Sequence, residues 1–120
     1  MTRLPIEAER CETVADAAKI MQSNDIRHIP VMRGSHLHGL VSWSDIHKAR
    51  LQFADEISHV SLEQICQRDV LTVGPLCPIN EVAEQMLTRG VGSAVVVDCG
   101  FVVGIFTTTD ALRVLSAVLG

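Results

Sequence analysis

The stretch Gly39-Leu40-Val41-Ser42-Trp43-Ser44-Asp45 joins a glycine and a short apolar strand end to a hydroxyl residue three positions before an aspartate. The same order returns 65 residues later as Gly104-Ile105-Phe106-Thr107-Thr108-Thr109-Asp110. A strand that leads directly into a helix leaves the first helical N–H groups without a partner, at the positive end of the helix dipole. The hydroxyl side chains can cap that end, and an anion can also bind there. We therefore predict that the ligand of this protein binds at one or both of these turns.

The offset of 65 residues relates two copies of one pattern, without a gap from residue 3 to residue 50. Each copy predicts the order β-α-β-β-α, because helical spacing of apolar residues alternates with short apolar strands and glycine-bearing turns. In the first copy we predict strands at Ile6–Glu9, Ile26–Met32 and Leu37–Val41, with helices from Val14 to Met21 and from about Asp45 to Ala54. In the second copy we predict strands at Val70–Val73, Ser93–Val97 and Phe101–Phe106, with helices from Ile79 to Met86 and from about Asp110 to Leu119.

A short helix at Leu62–Ile65 is predicted within the segment that connects the two copies. One copy of about 60 residues buries so little surface that it would be only marginally stable alone. We therefore expect an α+β fold in which repeat 1 (residues 1–57) and repeat 2 (residues 58–120) pack sheet to sheet with pseudo-twofold symmetry as one domain.

The composition argues against several classes of function. Aromatic residues make up only 3% of the chain, the net charge is −4, and no basic stripe is visible, so we expect no nucleic-acid binding. No apolar run approaches the roughly 20 residues that a membrane span needs. The four cysteines lack metal-site or paired spacing, and the N-terminus lacks a signal-peptide pattern, so we expect a cytoplasmic protein with reduced thiols. No nucleophile and base stand out, so we expect no enzyme activity. We also expect no metal site, and we place His36 and His38 on a polar hairpin edge.

The last helix carries apolar residues on more than one face, which predicts a second surface that covers it. Its apolar residues are Ala111, Leu112, Val114, Leu115, Val118 and Leu119. We therefore predict a homodimer that uses the last helix of each repeat, with Ile46, Ala49 and Phe53 contributing from the first.

These features together resemble a tandem pair of CBS (cystathionine-β-synthase) domains, also called a Bateman module. The resemblance covers residues 3 to about 119. It is carried by the repeated β-α-β-β-α order, by Arg27-His28-Ile29-Pro30-Val31 on the middle strand, and by the two turns quoted above. It implies a regulatory module whose ligand is AMP, ADP, ATP, NAD or S-adenosylmethionine, bound in two clefts between the copies.

The resemblance also implies which residues form each cleft. In the first cleft they are Arg27, His28, Ser42, Ser44 and Asp45, with Thr72, Val73, Gly74 and Pro75 on the opposite wall and with Ile29 and Val73 on either side of the base. In the second cleft they are Gly92, Ser93, Thr107, Thr109 and Asp110, with Glu7, Ala8 and Glu9 opposite. An aspartate suits a ribose diol because its two oxygens can accept from two hydroxyls.

The two predicted clefts differ in charge. The first has a basic pair, Arg27 and His28, whereas the second has two carboxylates, Glu7 and Glu9, that would repel a phosphate. We therefore predict that the cleft at Asp45 is the better nucleotide site. Two alternatives remain open at this point. The two aspartates can be ordinary first-turn acids that the helix dipole favours, and the module can be a structural dimerisation or partner-docking unit with degenerate clefts.

Overall fold

The computed structural model describes residues 2–3 and 6–120, with only the backbone described at 2–3. Its strands are β1 (Thr2–Arg3), β2 (Ala8–Glu9), β3 (His28–Arg33), β4 (His36–Ser42), β5 (Thr72–Val73), β6 (Ser93–Asp98) and β7 (Phe101–Thr107). Its helices are α1 (Val14–Asn24), α2 (Trp43–Phe53), α3 (Leu62–Ile65), α4 (Ile79–Arg89) and α5 (Thr108–Leu119), with a 3-10 helix at Ala54–His59. The α+β class and the repeated β-α-β-β-α order are confirmed. The short helix predicted between the copies is also confirmed, with the predicted bounds.

The chain forms two compact units, which we call the first unit (Ile6–Asp69) and the second unit (Val70–Gly120 together with β1). The segment that connects the repeats belongs to the first unit, because Val60 and Leu62 are buried in its core. The repeat boundary that we predicted at residues 57 and 58 concerns the sequence repeat and stays a prediction. The predicted sheet-to-sheet packing of the two repeats also stays a prediction.

The first unit is built on a three-stranded sheet in the order β2-β3-β4. β2 runs parallel to β3, and β3 and β4 form an antiparallel hairpin. The hairpin turns at Gly34, whose φ of +62° is unfavourable for residues with a side chain. Helix α1 buries the predicted face, at spacings of three and four residues, against this sheet. The buried residues of that face are Val14, Ala17, Ala18 and Met21.

The second unit repeats this plan in a sheet of order β1-β7-β6-β5. β5 runs parallel to β6, and β6 and β7 form the second hairpin. The ladder irregularity between Val31 and Met32 recurs between Val96 and Val97, at the same offset of 65 residues. Helix α4 buries Val82 and Met86. The repeat seen in the sequence is therefore preserved in strand register as well as in element order.

Each hairpin gains one more partner from the residues that lead into a repeat. In the second unit, Thr2 of β1 lies opposite Ile105. In the first unit, Gln67 forms an isolated bridge with Leu40, and the 65-residue offset relates this pair to the other one. The residues before the first predicted strand of repeat 1 thus pair in the second unit, and those before the first predicted strand of repeat 2 pair in the first unit.

The closing helices of the two units are buried to different extents. Helix α2 places Ile46 and Ala49 in the core of the first unit, with 0% and 3% of their surface exposed. The prediction that these two residues contribute to a dimer surface is therefore wrong, because the sheet, α1 and the connecting segment already cover them. Phe53, also predicted there, is partly buried against the same core.

Helix α5, in contrast, leaves all but one of its predicted apolar residues exposed. The exposed fractions are 60% for Leu112, 37% for Val114, 52% for Leu115, 76% for Val118 and 76% for Leu119.

Candidate functional site

The first predicted turn is a reciprocal capping box at the start of α2. Ser42 Oγ accepts a hydrogen bond from the backbone N–H of Asp45 at 3.1 Å, and Asp45 Oδ2 accepts one from the backbone N–H of Ser42 at 2.9 Å. This arrangement satisfies two backbone donors that the helix leaves without partners. Asp45 therefore has the structural role of a first-turn acid, and one carboxylate oxygen performs it.

The other carboxylate oxygen of Asp45 faces the connecting segment. Gln67 Nε2 donates to Asp45 Oδ1 over 3.4 Å, which is long for such a hydrogen bond. The backbone of Gln67 is held more firmly, since its N–H donates to Leu40 O and its carbonyl accepts from Leu40 N–H, both at 2.9 Å. The backbone of Gln67, whose side chain contacts Asp45, is therefore fixed to strand β4.

The start of β3 brings two more predicted site residues to this turn. The backbone N–H of Trp43 donates to Arg27 O at 2.8 Å, and His28 lies opposite Ser42 in the β3–β4 ladder. The Arg27 side chain is exposed and His28 is half-buried. Ser44 is exposed in the first turn of α2. Five predicted residues of the first cleft thus meet at one edge of the first unit.

Ile29 does not fit its predicted role beside an adenine base. Its side chain is 0% exposed and packs in the core of the first unit with Val14 and Ile46. The strand alternates its faces, so a polar or exposed residue at position 28 places the next side chain inward. Only the backbone of Ile29 is left for contact with a ligand.

The second turn has the same cap with a more deeply buried acid. Asp110 Oδ2 accepts from the backbone N–H of Thr107 at 2.9 Å and from its hydroxyl at 3.2 Å. Asp110 is only 6% exposed, and Arg113 Nη1 lies 3.9 Å from its Oδ1. The Thr108 hydroxyl and N–H both donate to Gly92 O, at 3.2 and 3.0 Å. Thr109 is exposed.

Ser93 lies opposite Thr107 in the β6–β7 ladder, as His28 lies opposite Ser42 in the first unit. The residues of repeat 2 that we assigned to the second cleft therefore meet at one edge of the second unit. Their arrangement repeats that of the first turn, but neutral residues stand where the first turn has its basic pair.

The predicted opposite walls belong to the other unit in each case. Thr72, Gly74 and Pro75 are exposed in the second unit, whereas Val73 is 8% exposed and packs in its core. Glu7 and Glu9 are exposed in the first unit, and Ala8 between them is buried. The two joint clefts therefore stay predictions from the family resemblance.

The connecting segment was missed as part of the first turn. Its approach depends on Gly39, because a Cβ atom there would lie 2.6 Å from Gln67 O and 2.9 Å from Cys66 Sγ. Burial raises the pKa of the Cys66 thiol, which therefore packs as a neutral group. The signal for this contact is the glycine that opens each of the two quoted turns.

His38 is also not where we predicted it. It is 8% exposed rather than on a polar edge, and its Nε2 lies 3.8 Å from Glu63 Oε1 without a hydrogen bond from any described residue. Arg10 donates to both oxygens of Glu63 at 3.1 and 3.2 Å, and Arg68 donates to His38 O at 3.0 Å. This cluster fastens the connecting segment to the sheet. Across the part of the chain that the structure describes, no three metal-ligating side chains come together.

Comparison with known proteins shows which family the two repeats belong to. The family model of the CBS domain matches residues 7–52 and 62–117, which are the two repeats. The chain belongs to the CBS domain family. A CBS domain pair is a regulatory module rather than a catalytic one, and this chain carries one such pair.

Three relatives illustrate the range of proteins that carry this pair. The solved CBS domain pair of protein MJ0100, in complex with 5′-methylthioadenosine and S-adenosyl-L-methionine, is 30% identical with a TM-score of 0.85, over 98% of this chain and 92% of that one. The uncharacterized protein MJ1225 of Methanocaldococcus jannaschii is 32% identical over 94% of this chain and 44% of its own length. The L-aspartate semialdehyde sulfurtransferase of the same archaeon is 32% identical over 94% of this chain and 22% of its own.

The chain spans less than half of the length of the curated relatives that it matches, between 20% and 44%. Their similarity to this chain therefore concerns the CBS pair alone. Among the residues that the structure describes, none of the helices is long and apolar enough to cross a membrane.

Proposed function

We propose that this chain is a regulatory module that binds an adenosyl compound, and that the turn at Asp45 is the main contact. The observation that carries the proposal is that the two oxygens of the Asp45 carboxylate have different partners. Its Oδ2 caps α2, whereas Oδ1 has only a long contact with Gln67 among the residues that the structure describes. A contact of 3.4 Å is long and is easily exchanged, so Oδ1 can accept a hydrogen bond from a ribose hydroxyl in its place. The CBS pair solved with S-adenosyl-L-methionine supports this ligand class.

The proposed site is the first turn rather than the second for two reasons. Asp45 is half-buried, whereas Asp110 is 6% exposed and therefore less accessible to a ligand. Arg27 and His28 also stand beside the first turn, so that a phosphate or a carboxylate of the ligand meets a positive charge there. Gly92 and Ser93 offer no charge at the second.

The ligand class consists of AMP, ADP, ATP, NAD and S-adenosylmethionine, which share the adenosine group. The proposed contacts in the first unit are Arg27, His28, Ser42, Ser44 and Asp45, with Thr72 to Pro75 as the opposite wall that the family resemblance implies. A cytoplasmic location belongs to the proposal, since the four cysteines are free and stay reduced there. Nucleic acid and membrane are not part of it.

A thermal-shift panel with these five compounds tests the proposal. A ligand that binds only the folded state stabilises it, by about 2.7 kcal/mol at a concentration 100 times the dissociation constant. The melting temperature therefore rises. We expect saturable binding of at least one compound. Asp45→Ala should weaken it by about tenfold or more, and Asp110→Ala should have a smaller effect.

Both aspartates cap a helix, so Asp110→Ala is also the control for the loss of a cap. Circular dichroism of both variants should show the helix content of the wild type. If none of the five compounds shifts the wild type at millimolar concentration, the proposal is wrong. If Asp45→Ala binds as the wild type does, the assignment to the first turn is wrong.

A second proposal concerns the partner of helix α5. Leu112, Leu115 and Leu119 recur at spacings of three and four residues along one stripe and are each more than half exposed. The only charged side chain of that helix besides the buried Asp110 is Arg113. An exposed stripe of this kind is typical of a protein–protein interface. We propose that a second copy of the chain covers it, which also serves the alternative function of a structural dimerisation module.

Sedimentation velocity of Leu115→Glu tests this second proposal. We expect a concentration-dependent dimer of the wild type and a monomer of the variant, because a buried glutamate without a partner is costly. Leu51→Glu is the matched control, since Leu51 is 75% exposed on α2 between polar neighbours. A wild-type monomer at high concentration would contradict the proposal. Dissociation by Leu51→Glu would show that α2 contributes as well.

A further inference from the structure

The side chain of Gln67 lies beside Asp45 Oδ1, the oxygen that we propose as the ligand contact. Its side-chain amide donates to Asp45 Oδ1 over 3.4 Å, from a backbone that is paired twice with Leu40. The close approach is built into the chain, because Gly39 leaves the space that Gln67 O occupies. The amide therefore stays within reach of this oxygen whenever the connecting segment is in place.

The carboxylate of Asp45 does not need Gln67 for its orientation. The capping box already fixes it, through the hydrogen bond of 2.9 Å that Oδ2 accepts from the Ser42 N–H and the bond of 3.1 Å from the Asp45 N–H to Ser42 Oγ. A contact of 3.4 Å adds little to that restraint. What the Gln67 amide does is to occupy Oδ1, the oxygen that the cap leaves available.

We propose that the side-chain amide of Gln67 is a built-in competitor for the ligand hydroxyl at Asp45. This inference rests on the proposed function. Without a ligand, the amide satisfies the half-buried oxygen; a ribose hydroxyl replaces it when the ligand binds. Because the backbone of Gln67 is anchored to β4, only its side chain turns away. Gln67 thus lowers the affinity of the site and sets the concentration range in which it responds.

The competitor role and a positioning role predict opposite effects of the same substitution. Removal of a competitor tightens binding, whereas removal of a positioning group weakens it. Gln67→Met keeps the length of the side chain and removes the donor, and Gln67→Ala removes the side chain beyond Cβ. Both keep the backbone pairs with Leu40, so we expect both variants to fold with the melting temperature of the wild type.

Titration calorimetry with AMP and with S-adenosylmethionine measures the effect. We expect both variants to bind about twofold to threefold more tightly than the wild type, near the low end for one hydrogen bond because the contact is long. Agreement of the two variants excludes a new contact made by methionine alone. Gln52→Met, at an exposed position of α2 outside the site, should leave the affinity unchanged.

Nuclear magnetic resonance follows the contact itself. The side-chain amide signals of Gln67, assigned by their loss in Gln67→Met, should move in ligand-free Asp45→Ala and again when the wild type is saturated with ligand. Unchanged or weaker binding by the Gln67 variants, or amide signals that saturation leaves in place, would overturn this inference while the proposed function stands. A wild type that binds none of the adenosyl compounds would overturn the proposed function and this inference together.

Discussion

Helix α2 of the first unit buries Ile46 and Ala49 almost completely, whereas helix α5 of the second unit leaves Leu112 and Leu115 more than half exposed. Both helices follow the same hairpin and begin with the same capping box. What differs is the segment that covers each helix. After α2, the 3-10 helix and α3 return to the first unit and bury Val60 and Leu62 in its core. Among the residues that the structure describes, no such segment covers Leu112, Leu115 or Leu119 of α5.

The comparison shows that one repeat does not complete its own core. Among the described residues, the first unit encloses a larger set of buried apolar side chains than the second, although the two repeats have the same order of elements. The connecting segment adds two of these buried residues, Val60 and Leu62. Two more, Ile46 and Ala49, lie on α2, and their counterparts on α5 are not buried. A repeat of this size needs an additional covering layer, which the connecting segment supplies in the first unit. In the second unit the described residues leave the apolar stripe of α5 exposed, and our proposal that another copy covers it rests on this difference.

The largest expected effect is the loss of this covering layer. Leu62 is 0% exposed, so Leu62→Ala should lower the free energy of unfolding by about 2–5 kcal/mol, through lost burial and a residual cavity. Leu112→Ala, at a position that is 60% exposed, should change it by no more than about 0.5 kcal/mol. Urea unfolding of both variants at low protein concentration measures the difference.

The same pair sharpens the comparison at high protein concentration. A dimer that covers α5 would make Leu112→Ala more costly there, while the effect of Leu62→Ala stays the same, since Leu62 is buried within its own unit. Equal losses for both variants at low concentration would contradict the difference between the two helices.

An intermediate effect is expected where the connecting segment meets strand β4. Gly39→Ala would place a Cβ atom 2.6 Å from Gln67 O, and that oxygen cannot retreat without breaking its bond to Leu40. We expect a loss of about 1–3 kcal/mol in the free energy of unfolding, as in other overpacked sites. The measurement is again urea unfolding.

Gly74→Ala is the matched control for that substitution. A Cβ atom at Gly74 meets nothing within 4 Å, and its φ is not in the left-handed region, so alanine should be neutral or slightly stabilising there. If Gly39→Ala is as stable as Gly74→Ala, the connecting segment does not pack on β4 in solution.

Local patterns in the sequence predicted most of the fold. The helical face of α1, both hairpins with their glycine turns and the four-residue α3 follow from spacings within a few positions of one another. The pairing of β1 with β7 could not be predicted in this way. Two residues carry no periodicity that indicates pairing with a strand about 100 positions away. The burial of Ile46 and Ala49 was missed for a related reason, since no local spacing indicates that Val60 and Leu62 return to the same core.

The candidate site could be predicted only in part. The two capped turns follow from the positions of a hydroxyl residue and an aspartate three residues apart, and the structure confirms both caps. The role given to the Ile29 side chain is wrong, because β3 is buried from Ile29 to Met32 and the Ile29 side chain packs in the core. Gln67 was missed because it reaches Asp45 through a sheet bridge, which no spacing along the chain indicates.

The smallest expected effect separates the first helices of the two repeats. Asp16 in α1 and Glu81 in α4 are related by the 65-residue offset, but only Asp16 belongs to a capping box, with Thr13. The hydrogen bonds from Thr13, first from its backbone and then from its side chain, lower the pKa of Asp16 below its usual value of 3.8. Helix α4 begins after Pro78, which has no N–H to donate to Glu81.

A lowered folded-state pKa stabilises the fold above the unfolded-state pKa, and this contribution disappears as the pH falls through the folded-state value. Asp16→Asn should therefore lower the urea midpoint at pH 7, and its difference from the wild type should shrink as the pH falls towards about 3. Glu81→Gln is the control and should differ little from the wild type throughout that range. A difference for Asp16→Asn that stays constant with pH would show that the cap acts through its neutral hydrogen bonds. Equal effects of the two substitutions would show that the two helices begin alike in solution, whatever their caps.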